Sequence, residues 1–84
     1  MTRDYTVDHV AVVHECKFGC LNWYHVVLVF KDRNTPDARQ ACMKSEEKAN
    51  RLKRYIETLI DADGYMSEDN KYKMIEASQK ANEM

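Results

Sequence analysis

The residues with the most evident capacity for chemistry are three cysteines and three histidines. Cys16 and Cys20 form a Cys-x3-Cys pair, with His14 and His25 close in sequence. Zinc takes four Cys or His ligands in a tetrahedron. His14, Cys16 and Cys20 are the metal candidates because alternation along a β-hairpin puts them on one face. The same alternation sends His25 to the opposite face, so the fourth ligand would have to be Cys42. With the set incomplete, two ordinary thiols at a hairpin end are the simpler reading, and neither metal nor cofactor is expected. A Cys16–Cys20 disulfide is also disfavoured. Directly opposed strand residues hold their Cβ atoms about 4.5–5.5 Å apart, long for an S–S bridge without adjustment.

His9 and His25 share a face near a diagonal and could form a general base or a pH switch. No Ser, Asp or Glu of the hairpin is evidently placed to orient either, so both read as packing residues with polar tips. Cys42 lies beyond the first turn of the helix expected from Thr35 onward, where a helix dipole could activate it, and its position marks it as core. Asp61-Ala62-Asp63-Gly64 resembles a calcium loop. Aligning Gly64 with the sixth loop position puts Leu59 at the first and Asn70 at the twelfth, neither the required ligand. The segment reads instead as a helix stop. No catalytic motif and no phosphate loop is present, so an enzyme is not expected.

Lys44, Lys48, Arg51, Lys53 and Arg54 could track phosphates. Glu46, Glu47 and Glu57 interrupt them, and Glu47 and Arg51 are four apart, as an ion pair on a helix requires. A solvated, ion-paired face is the simpler account. Phe18, Trp23, Tyr24 and Phe30 concentrate aromatic area in the hairpin. Each could serve the core, but together they exceed what one helix can cover, and aromatic side chains are common anchors of protein interfaces.

The elements that position these residues appear as a switch in hydrophobic period. Residues 5–31 read as an antiparallel hairpin. Tyr5–Glu15 and Asn22–Lys31 are rich in β-branched and aromatic residues, and Gly19 supplies the turn. A Lys17-Phe18-Gly19 loop would pair Cys16 with Cys20. One face then carries Val7, His9, Ala11, Val13, Trp23, His25, Val27 and Val29. The other carries Val10, Val12, His14, Cys16, Cys20, Tyr24, Val26, Leu28 and Phe30. Both are largely apolar, unlike a hairpin with one wet face. Each must therefore be covered, or one is a binding surface.

Thr35-Pro36-Asp37 has the chemistry of a helix N-terminus, and a helix is expected over 36–61. Ala38, Cys42, Ser45, Ala49, Leu52, Ile56 and Leu59 make its apolar stripe. About 25 residues give a helix of roughly 37 Å, enough to cover one face of a hairpin roughly 33 Å long, but not both. Ser67 caps a second helix over 68–82. The expected fold is α+β, in the order ββαα, as a single domain over residues 1–84.

Composition narrows the function classes. The 84 residues are 44% apolar and 32% charged, with a formal net charge of −1. Residues 1–42 hold five Lys/Arg and five Asp/Glu, and residues 43–84 hold eight and nine. This balance argues against an acidic nucleic-acid mimic or a basic arm. The longest apolar run, Val26–Phe30, is too short to span a bilayer. Met1–Tyr5 lacks the apolar segment of a secretory signal. Reduced thiols and a cytoplasmic location are expected.

In general build the chain resembles small phage-encoded accessory proteins, including anti-CRISPR and other inhibitors of bacterial defence. The resemblance rests on the short chain, the Tyr5–Lys31 hairpin and the charged helices after it. It spans the whole chain but carries no functional residue over by motif. It implies a protein, acting in the host cytoplasm, that binds and blocks a host protein. Partner contacts are expected at Trp23, Tyr24, Phe18, Arg51 and Arg54. Self-association into a homodimer is the simplest way to cover the second apolar face. Two alternatives remain open: a small dimeric nucleic-acid-binding or transcription-regulating protein, and a zinc-stabilised module.

Overall fold

The computed structural model describes residues 6–17 and 21–82. The chain runs β1 (Val7–Lys17), β2 (Leu21–Phe30), β3 (Ala38–Met43), α1 (Glu46–Thr58) and α2 (Glu68–Ala81). The strands form one antiparallel sheet in the order β1-β2-β3. The α+β class holds. The order is βββαα, because a third strand takes the place of the first part of the expected long helix.

The first two strands follow from their β-branched content. Their register differs from the Cys16–Cys20 pairing: Cys16 opposes Asn22, Lys17 opposes Leu21 and Val13 opposes His25. The slip is by two residues, one full side-chain period, so the face assignments survive it. Val7 is the exception. An irregularity between Val7 and His9 pairs Val7 with Phe30 and turns it into the core. Cys20, Phe18 and Gly19 lie outside the described residues.

The larger correction concerns residues 36–61. Thr35 does not cap a helix. Its backbone N–H donates to the Asp32 carbonyl (3.1 Å) and its hydroxyl to the Asp32 carboxylate (3.0 Å), while Asn34 N–H bonds the same side chain (3.0 Å). The residues that suit a helix start also suit an Asx turn before a proline, and here they turn the chain back so that Ala38–Met43 pairs with β2. Ser45 is the N-cap, its side chain accepting from Lys48 N–H, with Glu46 and Glu47 in the first turn. From Ala49 onward the anticipated stripe holds: Ala49, Leu52, Ile56 and Leu59 are all buried. The second helix begins at the expected cap, Ser67, which accepts from Asn70 N–H.

Both helices lie against the same sheet face. The core joins Val7, Val10, Val26, Leu28, Ala41 and Met43 of the strands to Ala49, Leu52, Ile56, Leu59, Met66 and Met74. At 13 residues α1 is about 20 Å long, against about 36 Å for the 11-residue β1. The helical layer therefore ends before the hairpin does. Towards the hairpin tip His14, Cys16, Leu21 and Asn22 are all exposed.

The inter-helix turn is fixed to the sheet. Asp61 Oδ1 accepts from the N–H groups of Asp63 and Tyr65 (2.9 Å each). Gly64, at φ +88°, accepts from Val7 N–H through its carbonyl (2.9 Å). A Cβ there would sit 2.2 Å from the Val7 carbonyl oxygen. Gly64→Ala combines a left-handed backbone with a backbone clash and should cost about 1–3 kcal/mol, read as a lower urea midpoint. A change within error would mean that this contact does not constrain the fold. Ser45→Ala should cost about 1 kcal/mol as the loss of an N-cap, and Thr35→Ala clearly less by the same measurement. The reverse order would restore the helix start at Thr35.

Candidate functional site

The sheet face opposite the helices presents alternate residues of the three strands: His9, Ala11, Val13 and Glu15 from β1, Trp23, His25, Val27 and Val29 from β2, and Arg39 and Cys42 from β3. None of them belongs to the core cluster, and no described element packs over them. The middle strand is nevertheless well shielded by its neighbours. His25 is 2% exposed and Val27 7%. Val13, on the edge strand, is 46% exposed.

Polar groups on this face are tied to one another. His25 Nε2 bonds Glu15 Oε2 at 2.9 Å, pairing a buried imidazole with a half-exposed carboxylate. A neutral His25 donates from Nε2, which leaves Nδ1 an acceptor; that atom is buried without a partner. Lys44 Nζ lies 5.4 Å from the centroid of the Trp23 ring, a cation–π distance. Glu15, Trp23 and Lys44 thus frame the hairpin-tip end of an otherwise apolar surface.

Each expected site residue can now be placed. Trp23 is on this outer face, half-buried. Tyr24, its neighbour in the strand, points to the helix side and stacks on His14 at 4.9 Å. Arg51 is exposed on α1 and pairs with Glu47 at 2.9 Å. Arg54 is exposed, with Nε to the Asn50 carbonyl. The proposed contacts therefore do not form one patch: Trp23 is separated from Tyr24, Arg51 and Arg54 by the thickness of the sheet. Phe18 lies outside the described residues. Sequence reasoning missed Val13 and Glu15 as the exposed apolar and polar elements around Trp23, although alternation alone puts both on its face.

Of the metal candidates, His14 and Cys16 share a face of β1, two residues apart, and Cys20 lies outside the described residues. His14 Nε2 bonds Asn22 Oδ1 at 2.8 Å, and Cys16 is exposed and free. Cys42 sits opposite His25 on the other face, so it cannot complete a set with His14 and Cys16. Among the described residues no group of three potential ligands converges. His9 and His25 are also apart. His9 opposes Val29, four residues along β2 from His25, or about 13 Å. Contrary to expectation, both have carboxylate partners, His9 with Asp8 at 2.7 Å and His25 with Glu15.

Glu15, His25 and Cys42 stand in the order of an acid, a base and a nucleophile across the three strands. No hydrogen bond links the free His25 nitrogen to the thiol, and none of the three residues lines the cavities beside the two helices. Nucleophilic catalysis needs both the bond and a place for substrate. Several of the basic residues are engaged by neighbouring side chains. Lys44 covers Trp23, while Arg51, Lys53 and Lys80 pair with Glu47, Glu57 and Glu76 at i,i+4 spacing. The arrangement is suited to packing against a surface.

The unpartnered Nδ1 gives a test of whether His25 serves stability. His25→Leu fills a similar volume, removes an unsatisfied buried atom and leaves a Glu15 carboxylate that is already half-exposed to water. Unfolding stability should be unchanged or higher by up to about 1 kcal/mol; a loss beyond about 2 kcal/mol would show that the Glu15 bond outweighs the orphaned nitrogen. No family model fits this chain, and neither a curated protein nor a solved structure matches it.

Proposed function

We propose that the protein is a non-enzymatic interaction module that uses the outer sheet face to associate with a second copy of itself and, from that assembly, to occupy and block a surface of another protein. The observation that supports this most directly is the face carrying Ala11, Val13, Trp23 and Val29, over which no described element packs, while both helices lie on the other side. An apolar sheet face without a cover is a common site of chain association. Two identical faces stacked about a two-fold axis would form a sandwich with its helices outside. The inhibitory role follows from the resemblance to phage-encoded inhibitors and locates the action in the host cytoplasm. Among the described residues no helix is long and apolar enough to cross a membrane.

Val13→Lys is the discriminating substitution, because Val13 is exposed on this face and lies outside the core. The wild-type protein should scatter light at micromolar concentration with twice the chain mass of 9.9 kDa. The variant should scatter as a single chain with an unchanged far-ultraviolet circular dichroism spectrum. A wild-type protein of single-chain mass across the micromolar range would overturn the self-association.

A further inference from the structure

A groove of about 660 Å³ opens on the helix side, between the first half of α2 and the ends of the strands nearest the β2–β3 turn. Leu28, Phe30, Met66 and Met74 form its apolar walls, and Ala38 leaves space at the start of β3. The other end of α2 is tied to β3. There it packs small residues, Ala77 and Ala81, against the core, and Asn82 Oδ1 accepts from Cys42 N–H at 2.9 Å.

The groove has a marked polarity. Lys71 is its one charged lining residue. Among the described residues its ammonium makes no ion pair, whereas Lys53 and Lys80 each have a carboxylate four residues away. The volume lies in the range of small-molecule sites. Two methionines make such walls tolerant of an irregular or flexible chain.

From the apolar walls and the single unpaired cation we infer that this groove binds an amphipathic anion, a single apolar chain carrying one negatively charged headgroup, with the chain between Phe30, Met66 and Met74 and the headgroup on Lys71. The site is separate from the outer sheet face and does not depend on its role.

Isothermal titration with dodecanoate, below its micellar range, tests the assignment, with dodecyltrimethylammonium as the same tail under the opposite charge. Wild-type protein should take up one dodecanoate per chain and bind the cationic amphiphile about fivefold more weakly. Lys71→Glu, on an exposed helix position, should weaken dodecanoate by about fivefold or more. Ala38→Leu should abolish uptake by filling the groove. Circular dichroism confirms that each variant is folded, and Val13→Lys, on the far face, should bind as wild type does. Equal binding of the two amphiphiles, uptake of many molecules without saturation, or dodecanoate binding indifferent to Lys71→Glu and Ala38→Leu would each overturn the proposal. So would binding of an apolar peptide by a groove that takes up no dodecanoate.

Discussion

Val26, at the middle of β2, has no exposed surface, and its ladder neighbours are Val12 on one side and Ala41 on the other. A strand so deeply buried cannot leave either row of backbone N–H and C=O groups unpaired, since an unsatisfied buried group costs about 1–3 kcal/mol. β1 satisfies one row. The other requires a third strand, and the chain immediately after β2 provides it once Asp32 and Thr35 close the turn. The placement of both helices follows. α1 starts where β3 ends, and Ala49, Leu52 and Ile56 descend onto the same face as Val26 and Met43. α2 returns along β3.

Making a strand of Ala38–Met43 shortens the helix available to cover the sheet. The covered area runs from Val7 and Leu28 to Val26 and Met43, and the hairpin projects beyond it. On the outer face the same shortage is met differently. Glu15 bonds His25, and Lys44 lies over Trp23, so that the polar atoms there are partly satisfied within the face and the apolar ones remain. Such a surface tolerates water without unfolding and still gains from a dry partner, because apolar burial yields roughly 25 cal/mol per Å².

Much of this was legible in the sequence and some was concealed for identifiable reasons. Alternation in Val10–Val13 and Trp23–Phe30 separates the two faces correctly, but a two-residue slip preserves that alternation, so Cys16 could be paired with Cys20 when it faces Asn22. That slip also concealed the Glu15–His25 bond: in the true register Glu15 opposes Trp23 and reaches His25 on the diagonal, whereas the expected one placed it opposite Leu21. Ala38–Met43 was concealed twice over. Its small residues continue the spacing of the real α1 stripe, and Thr35-Pro36-Asp37 suits a turn as well as a cap. The demand of β2 for a second partner is a property of the assembled sheet. Ser45 with Glu46 and Glu47 was the local signal of the true helix start. Ser67 was read correctly because no strand competes for that segment.

The two sheet edges are not equivalent, and this bears on how a partner could approach. At β3, Asn82 takes the Cys42 N–H and α2 lies alongside. β1 has no described strand or helix bonded along its outer edge. An open strand of 11 residues would ordinarily invite edge-to-edge pairing. β1, however, carries Asp8, His9, His14 and Glu15, with ion pairs or hydrogen bonds already made by each of them, and polar and charged side chains along an edge oppose pairing with a further strand. Its apolar members Ala11 and Val13 point out of the sheet plane on the bare side. The edge is therefore protected where the face is not, and an incoming chain gains more by stacking on Val13, Trp23 and Val29 than by extending the sheet at β1.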